Sequence, residues 1–163
     1  MPLQTLQSGM SLPSLQDQFA PESRCFGCGP ANPVGLRLRS FAAGDRVVAT
    51  WLPAEHHQAF PGMLNGGIIG TLLDCHSNWC AAWHLMQAAG ISRPDCTVTA
   101  DYAVKLLRPT PLDAEVQLSA RTVTVSADRA VIEAELSAQG KIRAICRGTF
   151  VAVKPGHPAY HQW

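Results

Sequence analysis

One long helical period in the middle of the chain constrains the fold more than any other feature. From Gly66 onward, apolar residues recur at steps of three and four: Ile68, Leu72, Cys75, Trp79, Trp83 and Met86. Gly90 then supplies a stop signal, so the pattern predicts an amphipathic helix of about six turns. A helix of this length can bury its apolar stripe only against another layer of structure.

Segments with strand-like patterns precede and follow the helix in the sequence, and they predict a β-sheet as the layer against which it packs. Two precede it and would form a hairpin closing at Ala43-Gly44-Asp45; they span 36–41 and 46–52. Four follow it, separated by turns rich in Pro, Gly and Asp; they span 96–107, 114–125, 130–138 and 142–153. Glu133 and Glu135 alternate with Ile132 and Leu136, as in an antiparallel strand with one solvated face. The predicted fold is therefore α+β, in the order β-β-α-β-β-β-β, with one long helix against a larger antiparallel sheet.

The length of 163 residues suits a single domain, because one core usually takes about 100–200 residues. The first 23 residues are rich in Gln, Ser and Pro and show no periodicity, so we expect a flexible lead-in over 1–23. The domain proper is expected over 24–153, and Pro155 and Pro158 indicate a short tail over 154–163.

Charge and hydrophobicity argue against several classes of protein. Thirteen Lys and Arg against twelve Asp and Glu give a net charge of +1, and charged residues make up only 15% of the chain. A nucleic-acid binder needs a clustered excess of basic residues, which this sequence lacks. No apolar run reaches the ~20 residues of a membrane-spanning helix, and no secretion signal is recognisable. We expect a cytoplasmic protein that binds neither nucleic acid nor membrane. Its 47% hydrophobic content exceeds the needs of a solitary domain, which favours a homo-oligomer.

The helix carries a second face of small and polar residues: Gly67, Gly70, Thr71, Asp74, Ser77, Asn78 and Ala81. A solvated face would normally carry Lys, Glu or Arg, yet Asp74 is the only charged residue between Glu55 and Arg93. Small residues would let a backbone or a ligand approach the helix closely; the alternative is simple exposure to solvent. In an apolar cleft the pKa of Asp74 would rise toward the range that suits a general base.

Two short motifs on this helix are similar to a known signature. Leu64-Asn65-Gly66-Gly67 and Thr71-Leu72-Leu73-Asp74 resemble the His-Gly-Gly…Thr-Leu-x-Asp signature of hotdog-fold acyl-CoA thioesterases of the phenylacetate-pathway (PaaI-like) group. Three flanking stretches also match, at 25–36, 57–62 and 108–112. The resemblance covers about residues 24–153. It implies a hotdog fold, in which an antiparallel sheet wraps a long central helix and two sheets join edge to edge in a dimer.

The resemblance implies roles for eight residues. Asp74 matches the helix acid of the family, which attacks the thioester carbonyl or activates a water. Gly66 and Gly67 match glycines whose backbone N–H groups, aided by the helix dipole, bind the developing oxyanion. Gln58 matches a positioning amide. The expected substrate-binding residues are Asn65, His57, Thr71 and Thr99, of which Thr99 matches a strand position that orients the water.

The implied function is hydrolysis of an acyl- or aryl-CoA thioester to free acid and coenzyme A. Coenzyme A enters as part of the substrate, and no metal or other cofactor is expected. Gly66 and Asp74 are eight residues apart, or ~12 Å along a helix, so one chain cannot bring both within ~3 Å of one carbonyl. The site is therefore expected at the interface of a homodimer, or within a homotetramer.

Asn65 departs from the signature, which usually has His at this position. Asn is a good N-cap residue and would accept an N–H of the first helical turn. One alternative function is therefore an acyl-CoA binding module without turnover, in which Asn65→His would create activity. Another is a hotdog hydratase or dehydratase, which would need an imidazole near Asp74; His57 is the nearest candidate.

The six cysteines lack the spacing of a disulfide framework, and most are expected to be reduced, buried thiols. Cys25 and Cys28 form a CxxC pair. As half of a zinc site, the pair would need two more ligands, for which His56 and His57 are the candidates. A redox role would need a βαβ context, which is absent, so the simplest interpretation is a tight glycine-rich turn.

Overall fold

The computed structural model describes residues 12–160 and 162–163 of the chain. In these residues the elements follow one another as α1 (Leu15–Phe19), β1 (Phe41–Ala43), β2 (Arg46–Trp51), β3 (Gln58–Phe60), β4 (Met63–Leu64), α2 (Gly66–Ala89), β5 (Thr97–Leu106), β6 (Val116–Val125), β7 (Arg129–Ala138) and β8 (Lys141–Ala152). One turn of 3-10 helix, Glu55–His57, precedes β3. Most of the predicted lead-in, residues 1–11, lies outside the described residues, and the predicted domain limits stay a prediction.

One long helix packs against one large antiparallel sheet, as predicted. The sheet has the strand order β1-β2-β6-β7-β8-β5, and every neighbouring pair is antiparallel. Helix α2 lies across β5 to β8, and β3 and β4 form a separate small ribbon just before it. Strands β1 and β5 are the two edges of the sheet, and β5 is the long one, with ten residues against three.

Strand β7 alternates large and small buried side chains, and its three alanines, Ala130, Ala134 and Ala138, form what we call the alanine floor beneath α2. Along β7 every second residue is buried, which confirms the predicted alternation, and Ile132 and Leu136 are fully buried. Ala130, Ala134 and Ala138 stand between and beside them on the same face. Because alanine extends only one carbon from the backbone, α2 can lie close to the centre of the sheet.

Helix α2 begins and ends at the residues that the sequence indicates. The side-chain oxygen of Asn65 accepts the N–H groups of Gly67 and Ile68 at 2.8 and 3.1 Å, so the predicted N-cap is confirmed. Gly90 ends the helix with a φ of 65°, a left-handed conformation that glycine adopts without strain. None of the described helices has the length and apolarity needed to span a membrane.

The predicted single apolar stripe on α2 is too narrow. The helix is covered on more than one side, so residues outside the predicted stripe are also buried: Leu73, His76, Ser77 and Ala81. The turn at residues 25–29 provides part of this cover: a Cβ on Gly27 would lie 2.4 Å from Cys75 Sγ and 2.9 Å from Thr71 Cγ2. Thr71 belongs to the small-residue face, so of the two neighbours expected there, a backbone or a ligand, the structure shows a backbone.

The predicted strand at 36–41 is wrong, and β1 begins only at Phe41. Leu36, Leu38 and Ser40 are buried alternately, which mimics a strand pattern. Their backbone groups bond to loops instead of to a neighbouring strand: the N–H groups of Leu36 and Leu38 donate to the carbonyls of Phe26 and Gly27. Alternate burial here reflects packing over the core without sheet pairing.

A short helix in the lead-in, α1, is tied to this segment by a buried polar network. The Gln16 amide accepts the Ser40 N–H at 2.7 Å and donates to Ser40 Oγ at 3.1 Å. Ser40 Oγ in turn lies 2.9 Å from Nδ1 of His76, whose Nε2 lies 2.9 Å from the Val47 carbonyl. Since a carbonyl can only accept, Nε2 carries the proton, and Nδ1 of the neutral ring accepts from the Ser40 hydroxyl.

Candidate active site

Asp74 is a half-buried carboxylate in the middle of α2. Thr99, on β5, donates its hydroxyl to Asp74 Oδ1 at 2.7 Å. The two residues line a cavity of about 220 Å³ together with Asn78 and Trp79. Among the described residues, no donor bonds the other oxygen, Oδ2. Two residues that the sequence singled out for separate roles are therefore in contact, and one carboxylate oxygen is left to accept a proton or attack a substrate.

The surroundings of Asp74 raise its pKa above the usual range of an aspartate. Burial is the main cause, because it disfavours the charged form. The Thr99 hydrogen bond acts in the opposite direction, and a negative charge on Cys25 raises the pKa further. A carboxylate with a raised pKa is a stronger base, which suits it to remove a proton from water.

The start of α2 lines a second cavity, of about 320 Å³. Gly66, Arg108 and Thr110 are among its walls. Thr110 Oγ1 is buried and has no hydrogen-bond partner among the described residues. The Gly66 N–H likewise has no acceptor in the described part of the chain, whereas the Gly67 N–H is already bonded to Asn65. Gly66 is therefore the glycine whose N–H is available at this end of the helix.

The two cavities lie at opposite ends of β5, which runs along α2 in the opposite direction. Thr99 near one end contacts Asp74. Leu106 at the other end lies beside Gly66, where an added Cβ would be 3.0 Å from Leu106 Cδ1. The structure thus brings Asp74 and Thr99 together, but places Gly66 two helical turns away from them.

Gln58 and His57 belong to the Gly66 end. Gln58 is exposed on β3 and pairs with Leu64, and the Asn65 N–H donates to the His57 carbonyl at 2.9 Å. The His57 ring packs against Trp51 at an interplanar angle of 38°, and its Nδ1 accepts the Ala54 N–H. Burial, and then the neighbouring His56, lower the pKa of His57. Within the described residues, no histidine lines the cavity that holds Asp74.

Thr71 lies between the two ends of the site. Its hydroxyl donates to the Gly67 carbonyl at 3.0 Å, a bond within the helix that leaves the substrate role a prediction. Its methyl group would lie 2.9 Å from a Cβ on Gly27, so the turn at residues 25–29 covers it.

Several solved structures have this architecture. A thioesterase superfamily protein from Shewanella loihica is 27% identical, with 85% of this chain and 99% of that chain covered and a TM-score of 0.65. The PaaI protein from the phenylacetic acid degradation operon of E. coli is 17% identical, with 73% and 81% covered and a TM-score of 0.60. A Streptococcus mutans protein bound to acetyl CoA is 18% identical, with 71% and 88% covered and a TM-score of 0.59. This chain has the hotdog fold of the thioesterase superfamily. No family model and no curated protein matches it.

The hotdog domain also brings to Asp74 residues that the sequence did not indicate. Cys25 and Cys28 from the turn meet Cys75 of α2, and the three sulfur atoms lie within 4.8 Å of one another. Trp163 stacks on Trp79 at a ring distance of 4.4 Å and lines the same cavity. Cys25 and Cys75 are 50 positions apart, and Trp79 and Trp163 are 84 apart, so no local sequence pattern predicts their contacts. The only sequence signal was that Cys75 directly follows Asp74.

The three thiols shift one another's pKa values in this corner of the hotdog domain. Hydrogen bonds from Cys28 and then from Cys75 lower the pKa of Cys25. The same bonds raise the pKa values of Cys28 and Cys75, which act as the donors. The structure describes three cysteines and no histidine in this group, so His56 and His57 are not the partners of the CxxC pair.

Proposed function

We propose that this hotdog protein hydrolyses an acyl- or aryl-CoA thioester, with Asp74 as general base or nucleophile. The observation that carries the proposal is the Asp74 carboxylate itself, half-buried in a cavity, with one oxygen held by Thr99 and the other bonded by no donor of residues 12–160 or 162–163. A fixed carboxylate with a raised pKa is suited both to activating water and to attacking a carbonyl.

The class of substrate is inferred from the relatives of the fold. The Shewanella loihica structure is that of a thioesterase superfamily protein, and the Streptococcus mutans structure holds acetyl CoA. Water is the second substrate. The proposed reaction draws on no cofactor beyond the coenzyme A of the thioester, and its proposed location is the cytoplasm.

The oxyanion that develops on the thioester carbonyl needs a hydrogen-bond donor. The Gly66 N–H fits this role, because no described residue accepts it and it stands at the positive end of the dipole of α2. Gln58 lies on β3, in the small ribbon that precedes α2, and is proposed as the amide that positions the carbonyl or the water. Gly67 could join Gly66 only if the Asn65 cap released its N–H.

Gly66 and Asp74 can serve one carbonyl only if they come from different chains. We propose a homodimer that pairs the long open edge of β5 with its copy, because ten-residue edges rarely stay unpaired. Tyr102, near the middle of β5, is exposed. A two-fold axis near it would place the Leu106 end of one strand, and with it Gly66, opposite Thr99 and Asp74 of the partner subunit.

The first experiment measures free-thiol release from short, long and aromatic acyl-CoA esters. Wild type should hydrolyse at least one of them, and Asp74→Asn should lose about 100-fold or more, the scale of a lost acid–base group. Asp45→Asn, in the exposed turn between β1 and β2, is the control and should retain activity. Binding of the esters without hydrolysis by wild type would favour the binding-module alternative, and hydration of an enoyl thioester would favour the hydratase.

The Gly66 donor can be removed without breaking the helix. Proline lacks the N–H, is well tolerated at the first helical position, and requires the preceding residue to be extended. Asn65 already is, with φ −63° and ψ 133°. Gly66→Pro should lower kcat about 100- to 1,000-fold, as expected for one oxyanion donor. Gly66→Ala adds the same Cβ beside Leu106 but keeps the N–H, so it should stay near wild type.

Mixing two inactive variants tests the shared site. In a hybrid of Asp74→Asn with Gly66→Pro, one of the two interfacial sites keeps both Asp74 and Gly66, so activity should return to about half of wild type per dimer. If each chain held a complete site, every site in the hybrid would be defective. Mixed chains that form dimers and stay inactive would refute the shared site.

A further inference from the structure

The cysteine cluster beside Asp74 has the spacing of a metal site. Cys25, Cys28 and Cys75 are free thiols, and their sulfur atoms all lie within 4.8 Å of one another. The Cys25 and Cys75 sulfur atoms are 3.7 Å apart. Two thiolates bound to a tetrahedral zinc ion at about 2.3 Å are about 3.8 Å apart, so this pair already has the required spacing.

The turn that carries two of these thiols is shaped to meet the third. A Cβ on Gly27 would lie 2.4 Å from Cys75 Sγ, so only glycine lets the turn come this close to α2. A Cβ on Gly29 would lie 2.4 Å from the Cys25 backbone nitrogen, so glycine also closes the turn behind the pair. Both glycines therefore serve to bring three sulfur atoms to one point.

Trp79 also contacts the cluster and would help to orient one sulfur atom as a metal ligand. The indole N–H of Trp79 donates to Cys28 Sγ at 3.4 Å. Hydrogen-bond donors of this kind commonly surround metal ligands and fix their orientation. Cys28 and Cys75 are buried thiols, and a bound divalent ion would take the place of their protons and hold the resulting thiolates together.

We propose that Cys25, Cys28 and Cys75 bind one zinc ion through their three thiolates, with the fourth position open to the cavity that Asp74 lines. Thiolate ligands select zinc over the hard cations that prefer oxygen. Three protein ligands and one open position would make the ion accessible from the cavity. The site differs from the sequence-based expectation of no metal, because Cys75 lies 50 positions from Cys25 and completes the set only in the fold.

The bound ion would join the turn at residues 25–29 to α2. Because the unfolded chain does not hold the three thiols together, zinc binding should stabilise the folded state. This role does not depend on catalysis. Metal binding can therefore be measured without any thioester, and its failure would leave the proposed hydrolase untouched.

The test is a zinc titration of the reduced, metal-free protein against a chromophoric chelator, with a phosphine as reductant. Wild type should take up one zinc per chain, and cobalt in its place should give the near-ultraviolet thiolate bands and visible bands of a tetrahedral site. Cys75→Ala and Cys25→Ala should each bind at least about tenfold more weakly, since even the loss of an outer hydrogen-bond partner costs this much. Cys80→Ala, at a buried cysteine five residues further along α2, is the matched control and should bind like wild type.

Cys25 is exposed, so Cys25→Ala keeps the core intact even if Cys75→Ala fails to fold. The proposal would be overturned by either of two results: wild type takes up no zinc at micromolar concentration, or Cys25→Ala binds zinc as tightly as wild type.

Discussion

Lowering the pH should destabilise this protein through one buried histidine. His76 is fully buried on α2, with its Nε2 proton donated to the Val47 carbonyl and its Nδ1 bonded to the Ser40 hydroxyl. Burial lowers the pKa of His76 from its ordinary 6.5 to about 4, and the Val47 hydrogen bond only partly opposes this. His76 is therefore protonated at a lower pH in the folded protein than in the unfolded chain.

The size of the effect follows from the two pKa values. Above pH 6.5 the imidazole is neutral in both states, and its contribution to stability is complete. Between pH 6.5 and about 4 only the unfolded chain is protonated, so the free energy of unfolding falls by roughly 1.4 kcal/mol per pH unit. Over that window, set by the two values for His76, the loss is about 3 kcal/mol.

Urea unfolding at half-unit steps from pH 8 to 4 measures this loss directly. His76→Gln offers an amide that does not titrate, so its stability should be lower at pH 7 but should fall less steeply between pH 6.5 and 4. His84→Gln, on the same helix and half-exposed, controls for the loss of an imidazole. If wild type and His76→Gln lose stability in parallel over the window, another group is responsible and the assignment to His76 is refuted.

Three substitutions test the local packing, each by the urea midpoint at pH 7 with an unchanged slope. Asn65→Ala removes the acceptor of two N–H groups and should cost about 1 kcal/mol, whereas Asn65→Asp should restore the cap; equal midpoints for wild type and Asn65→Ala would mean that the cap contributes nothing. Leu72→Ala, at a fully buried position, should cost about 2–5 kcal/mol, and a cost below 1 kcal/mol would contradict its place in the core. Gly27→Ala places a Cβ 2.4 Å from Cys75 Sγ and should cost about 1–3 kcal/mol; a neutral result would show that the turn can move off α2.

Periodicity predicted the elements whose burial repeats along the chain. Helix α2 and strands β6 to β8 lie close to the expected positions because each buries a repeating set of side chains along part or all of its length. Strand β5 is mostly exposed at the edge of the sheet, and its position was predicted from β-rich composition between turns. Helix α1 has only five residues, too few to show a helical period, and it is held by packing and by the Gln16–Ser40 bonds. Residues 36–40 show the opposite failure, because alternate burial there is not accompanied by strand pairing.

In the candidate site, too, the features with a local sequence pattern were predicted and the long-range contacts were not. Asp74 and Thr99 were both singled out from the sequence, and they are in contact. The Asn65 cap was also predicted, but not that it would occupy the Gly67 N–H and leave Gly66 alone as a donor. The cysteine cluster and Trp163 depend on contacts between distant parts of the chain, which a single sequence does not encode in any local pattern.

The alanine floor of the sheet limits how this protein could be engineered. A library that enlarges Ala130, Ala134 or Ala138 would add volume to a buried face and so tend to push α2 away from the sheet. Such a shift would carry Asp74 away from Thr99, so altered selectivity should not be sought by changing the floor. Substitutions intended to change selectivity should instead be made at residues that line the cavity but do not pack on the alanine floor, such as Val98 and Trp163.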